Sequence, residues 1–253
     1  MKIFEITEDI IAVNDIDHAI ERVKVAAELC SKMGNQPILY RGFNAGGQYP
    51  YKPKNLILKV DNADRGGVKG NHNPIQQQVF KGLKIQSPVQ AVAVAPDSTS
   101  SLFGTNYIMI PGGNFTTHWN PAIRDLGGFD GYDPKFSQLT KNGGRLTRNT
   151  IPPEEMKQIL DGYQEGIPGP KQWKGEVIVD CPFYYMLNLQ EFLSKYAGKK
   201  VKELIDVNNR ASFSKIKADL LQAKFVTYKD ISWYLSKPAT GFLQWIKTQE
   251  GKK

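Results

Sequence analysis

Four places in the sequence combine residue types that can do chemistry. Tyr40-Arg41-Gly42 sets a guanidinium among apolar neighbours, beside a glycine. The planar fork of arginine holds phosphate or carboxylate through two parallel N–H bonds, and a missing Cβ lets a ligand come close to the backbone. Pro96-Asp97-Ser98-Thr99-Ser100-Ser101 follows the apolar run Val92-Ala93-Val94-Ala95. Hydroxyls there can hold a ribose or phosphate near a helix N-terminus. Glu176 opens the apolar run Val177-Ile178-Val179. A carboxylate so placed can stabilise an oxocarbenium ion, or hold a ribose hydroxyl, while a glycosidic bond breaks. His118-Trp119-Asn120-Pro121, followed by Arg124-Asp125, offers an indole that can stack on a planar ring. Each has a structural alternative: a salt-bridged arginine, a helix cap by Asp97 or Ser98, a strand-edge glutamate, and a core tryptophan beside a local ion pair.

Other chemistries lack their residues. The two cysteines, Cys30 and Cys181, make neither a metal site nor a disulfide scaffold and read as buried thiols. His18, His72 and His118 are scattered without ligand spacing, which disfavours metal chemistry. The net charge of +8 suits encounter with a phosphate-bearing ligand or a nucleic acid and demonstrates neither. No run approaches the roughly 18 apolar residues of a membrane helix, and Met1 to Ile10 carries Glu5, Glu8 and Asp9, unlike a signal peptide. The expectation is a soluble, cytoplasmic chain with no membrane partner.

The elements that must position these residues follow from periodicity and breakers. Asp15 to Lys32 repeats apolar residues at helical spacing and stops at Gly34. Pro37 to Phe43 reads as a strand, as do Leu56 to Val60, Val89 to Ala95, Asn106 to Ile110 and Gly175 to Cys181. Pro74 to Lys81 reads as a short helix, as does Thr99 to Phe103, and Pro152-Pro153-Glu154-Glu155 opens another running to about Tyr163. Asn62 to Pro74 and Gly127 to Thr150 read as long loops, the second a candidate cover over a site. From Met186 onward Leu187 to Tyr196, Val201 to Val207, Ser214 to Phe225 and Lys229 to Leu235 read as lysine-lined helices, the whole ending in a Trp233, Phe242, Trp245 cluster.

Helix, strand with Arg and Gly, strand followed by Ser/Thr, and a later strand with Glu is an order that resembles the ADP-ribosyltransferase superfamily. More narrowly the chain is similar to a family of mostly uncharacterised bacteriophage proteins. The similarity rests on Leu39-Tyr40-Arg41-Gly42, on Phe103-Gly104 leading to Tyr107-Ile108-Met109-Ile110-Pro111, on Trp119-Asn120-Pro121 with Arg124-Asp125-Leu126, and on Glu176 to Cys181 leading to Tyr184-Tyr185. It covers roughly residues 15 to 190.

The resemblance implies an α+β fold, an ADP-ribosyltransferase-like split β-sandwich with flanking helices, over residues 1–190; the lysine-lined helices beyond it lie outside the resemblance and read as a helical C-terminal appendage packed on the sheet, over 191–253. The resemblance also implies NAD as substrate in a cleft between two small sheets. Arg41 would contact its phosphates or ribose, beside Gly42. Ser98, Thr99 or Ser100 would stand near the nicotinamide ribose, Tyr40 or Tyr107 would pack on nicotinamide, and Glu176 would be the catalytic carboxylate. The acceptor of ADP-ribose would be a protein or nucleic acid. Two departures stand out: the hydroxyl run follows its strand, and Lys174 stands two before Glu176, where many protein-modifying members carry Glu or Gln. They leave open a catalytically inactive accessory protein on the same fold, binding nucleic acid, a host protein or a virion component, and an enzyme using another sugar or phosphate donor.

Overall fold

The computed structural model describes residues 16–43, 57–61, 74–93, 105–126, 130–131, 151–169, 175–189 and 227–236. The first helix, α1 (Ile16–Met33), buries Val23, Ala26, Ala27, Cys30 and Met33, residues three and four apart that share one face. It ends where Gly34 takes φ +58° and donates its N–H to the Cys30 carbonyl, a left-handed stop that a side chain would resist. Then come β1 (Leu39–Phe43), β2 (Ile57–Asp61), α2 (Pro74–Gly82), β3 (Pro88–Ala93), β4 (Thr105–Gly112), β5 (Thr116–Trp119), β6 (Ile123–Asp125) and β7 (Asp130–Gly131). They are followed by α3 (Pro153–Asp161), β8 (Gln164–Glu165), β9 (Glu176–Asp180), β10 (Phe183–Asn188) and α4 (Tyr228–Ser236). Helix α3 starts on a proline, which needs no N–H partner there, with Glu154 and Glu155 against the positive end of its dipole. Among the described residues no helix is long and apolar enough to cross a membrane.

The fold is α+β, with two antiparallel sheets among the described residues. The larger has eight strands in the order β2-β10-β4-β1-β3-β9-β5-β8, and β6 with β7 makes a two-stranded ribbon. Strands β1 and β4 pair over five residues, and so do β3 and β9. Between them the seam is narrow: β1 meets β3 only at Leu39 with Ala93 and Tyr40 with Val92, among the described residues. Among the described residues the large sheet is thus two four-stranded halves joined at one short contact.

Register fixes which side chains share a face, because paired residues point the same way and the next residue points the other way. Helix α1 lies over β2 and β4, with α4 against α1. Arg22 and Glu21 are within electrostatic reach of Tyr185, which marks the face α1 covers. In the other half Ile178 belongs to a second buried cluster with Ile75, Val79 and Phe80 of α2 and Ile159 of α3, while Val177 and Val179 belong to the main one.

Three sequence expectations change. The helix expected from Leu187 begins no earlier than Leu189, because Leu187 and Asn188 complete β10. That strand lies between β2 and β4 with Tyr184 to Asn188 all buried, so both faces are apolar and the run lacks the alternation that separates a strand from a buried helix. Pro111 and Gly112 extend β4 rather than ending it. β1 starts opposite Met109, so among the described residues no strand pairs with Pro111 on that side and the missing N–H takes no ladder bond away. Strands β5 and β6 lie in a stretch, Phe115 to Leu126, whose residue pattern specifies no element. The helix expected over Lys229 to Leu235 is present as α4, and it joins the main core through Tyr228, Ile231 and Leu235. Trp233 on it is half exposed, edge-on to Tyr234 at 4.6 Å between ring centres; Phe242 and Trp245 lie outside the described residues.

Candidate functional site

Arg41, Tyr107 and Asn188 stand in one row across three neighbouring strands: Arg41 pairs with Tyr107 on β4, and Tyr107 with Asn188 on β10. Neighbours in such a row have Cβ atoms roughly 5 Å apart on a shared face. Tyr107 and Asn188 are buried and Arg41 is partly buried. Gly42 pairs with buried Asn106 in the next rung. Burial pushes the Tyr107 phenol up, so it stays a neutral O–H.

The guanidinium of Arg41 has a definite local task. Its Nη1 donates to the Gln90 carbonyl on β3 at 2.7 Å, and its carbon lies 6.0 Å from the centre of the Tyr184 ring. Gln90 is two residues past Val92, the last β3 residue that meets β1 moving in that direction, so Arg41 bridges the two strands where they part. Among the described residues its buried Nε–H has no hydrogen-bond partner, and neither has Nε2 of Gln90. An unpaired buried donor costs about 1–3 kcal/mol, more when charged, and an anion is the group that best satisfies a guanidinium N–H.

Tyr40, expected beside a ligand, is 1 % exposed and its ring is core. It points to the face opposite Arg41, and burial raises its pKa far out of reach. Of the two candidate stacking aromatics, Tyr107 shares the arginine's face and Tyr40 does not.

Glu176 has a different setting. It pairs with Val92, and Val92 pairs with Tyr40. Two strand spacings, roughly 10 Å, therefore separate its backbone from β1, and its side chain shares the face of Tyr40 and Ile178, not that of Arg41. Its Oε2 accepts the Leu126 N–H at 2.7 Å, tying β9 to the end of β6. Tyr163 lies close by: burial first, and the Glu176 charge second, push its phenol up. The structure thus brings Arg41, Gly42 and Tyr107 together and leaves Glu176 on the other face. Ser98, Thr99, Ser100 and Lys174 lie outside the described residues.

The fourth motif, His118-Trp119-Asn120-Pro121, is packed into the fold through its first three residues. Trp119 is in the main core. Asn120 donates Nδ2–H to the Ile159 carbonyl at 3.1 Å and accepts the Ala122 N–H at 2.9 Å, joining the β5–β6 turn to α3. His118 pairs with Glu165 and with Ile178, its Nε2 3.5 Å from Thr116 Oγ1. Burial lowers its pKa, partly offset by Glu165 and Asp180. Asp180 in turn accepts the N–H groups of Gln86 and Ser87 at 3.1 and 2.7 Å. Both cysteines are buried thiols outside any disulfide, and burial pushes Cys30 up. Among the described residues no group of three or more potential ligands could hold a metal ion.

Sequence reasoning missed Asn188, Tyr184 and Gln90. A usable signal existed for the first: an asparagine closing the apolar run Tyr184-Tyr185-Met186-Leu187. No family model matches the chain, and no curated protein or solved structure matches it either.

Proposed function

We propose that this chain binds NAD, or a dinucleotide of the same build, at the Arg41–Tyr107–Asn188 row on an ADP-ribosyltransferase-like split β-sandwich, and that Glu176 holds the fold rather than driving a reaction. The observation that carries this reading is the pair of fates: the Glu176 carboxylate accepts a backbone N–H on one face, while on the other Arg41 keeps a buried Nε–H without a partner among the described residues. Three further features support it. The sheet parts at the β1–β3 seam, as two halves of a split sandwich would. Inward residues of both halves, among them Met186, Tyr184, Val177 and Trp119, share one buried cluster. Helices α1 and α2 cover the opposite face, as expected for halves packed face to face. The net charge of +8 favours encounter with the two phosphates.

A second reading, ADP-ribosyl transfer to a protein or nucleic acid, has one observation in its favour. Strands β1, β3 and β9 are neighbours in that order, so the arginine strand, the strand leading to the Ser/Thr run and the glutamate strand adjoin. Under this reading nicotinamide leaves, positive charge develops at C1 of the ribose, and Glu176 stabilises it after giving up the Leu126 N–H, at a cost of about 1.5–3 kcal/mol. Titration with NAD, with nicotinamide quantified afterwards, separates the two. Saturable binding without nicotinamide supports the first. Nicotinamide release that Glu176→Gln abolishes establishes the second, and no saturable binding contradicts both.

A further inference from the structure

We infer that Tyr228 is a positioning residue for the Arg41–Tyr107 row: its hydroxyl, inserted between Leu39 and Met109 in the β1–β4 ladder, sets the spacing of those strands one same-face step from the row. This inference rests on the binding reading above and adds a residue from the far end of the chain to it.

Leu39 and Met109 are register partners, as Arg41 and Tyr107 are, and residues two apart on a strand share a face. The Leu39 N–H donates to the Tyr228 hydroxyl at 3.1 Å, and that hydroxyl donates to the Met109 carbonyl. In an antiparallel ladder a facing N–H and C=O bond each other directly. Here a phenol stands between them. Burial keeps that phenol neutral and able to donate.

The hydroxyl has little freedom to leave, because α4 is fastened at its start. Tyr228 donates its N–H to the Gln36 carbonyl at 3.1 Å, and Lys229 donates to Gly34 at 2.7 Å. Asp230 caps the helix by accepting both the N–H and the hydroxyl of Thr227 at 2.9 Å. Ser232 donates to the Ala27 carbonyl at 2.9 Å. Tyr228 itself is fully buried. Ring position and strand spacing are therefore coupled: without the hydroxyl, the rung closes by on the order of 2 Å to a direct bond, or keeps two unpaired groups. Either change displaces β1 beside Arg41.

The test uses the full chain and NAD as probe. Tyr228→Phe keeps the ring and removes the hydroxyl; Ile231→Val trims packing on the same helix and leaves the hydroxyl in place. Three quantities are read on each: NAD affinity, thermal midpoint, and the NMR resonance of the Arg41 Nε–H. Tyr228→Phe is expected to shift that resonance and weaken NAD binding about tenfold, while Ile231→Val lowers the midpoint and leaves resonance and affinity where they were. An unshifted Arg41 resonance in Tyr228→Phe overturns the inference, and so does an equal shift in Ile231→Val. If the wild-type chain binds no NAD, the dinucleotide reading fails by itself, and the resonance comparison still decides the role of Tyr228.

Discussion

On β9 both carboxylates are occupied by backbone donors: Glu176 accepts from Leu126, and Asp180 from Gln86 and Ser87. On β1 the guanidinium of Arg41 bonds one carbonyl and, among the described residues, retains a buried Nε–H without a partner, in a row with Tyr107 and Asn188. Both half-sheets bring charged groups to partly buried positions. One half spends its charges on joining loops to strands; the other keeps donor capacity in reserve. Charge-assisted bonds to backbone N–H groups stabilise a fold, whereas an unmet buried donor is a standing cost that a ligand can relieve. The difference directs attention to the Arg41 half for binding and to the Glu176 half for stability.

The largest effect expected from breaking this contrast is at Arg41. Arg41→Ala should weaken NAD binding on the order of a hundredfold, by removing the donors an anion would meet. It should also destabilise the seam by about 1.5–3 kcal/mol, since the Gln90 carbonyl loses a charged donor. Arg41→Lys should recover little of the affinity, because an ammonium lacks the planar fork. Calorimetric titration and chemical unfolding read the two losses separately, and an Arg41→Ala chain with wild-type affinity would erase the contrast.

Glu176→Gln comes next. It should lower stability by about 1.5–3 kcal/mol through the weakened bond to Leu126, with affinity for NAD unchanged. A variant as stable as the wild type would remove the structural role given to that carboxylate. Asn120→Ala sharpens the same side of the comparison: it takes away one acceptor and one donor between the β5–β6 turn and α3, and about 1–3 kcal/mol of stability should go with them, measurable by denaturant midpoint.

The smallest effect is a pH dependence at His118. Burial lowers its folded pKa below the ordinary 6.5, while Glu165 and Asp180 pull part of the way back. As pH falls below about 6.5 the unfolded chain takes up the proton first. Stability from this group is therefore full above that pH and declines below it, levelling off beneath the folded pKa. His118→Gln should flatten this part of the acid slope in denaturant midpoints; an unchanged slope would mean the ring is not held neutral.

Much of the fold was legible because local patterns agreed with it. The α1 periodicity and its glycine stop, the prolines and acids opening α3, and the apolar run after Glu176 each specify an element without tertiary help. Strand β10 was hidden because a strand buried on both faces lacks alternation. Strand β5 is only Thr116 to Trp119, too short for a period to show. At the site, Arg41 was legible as a charged residue in an apolar strand, and Tyr107 came only through the family resemblance. Their cross-strand pairing was not legible, since register depends on residues far apart in sequence. Nor could the sequence reveal that Arg41 and Glu176 face opposite ways: one residue of register decides it.

The most direct measurement is a titration of the full chain with NAD, wild type beside Arg41→Ala, with nicotinamide quantified at the end. The account predicts saturable binding by the wild type, loss of it in the variant, and no nicotinamide in either. Binding that survives Arg41→Ala, or nicotinamide release that disappears in Glu176→Gln, would contradict it.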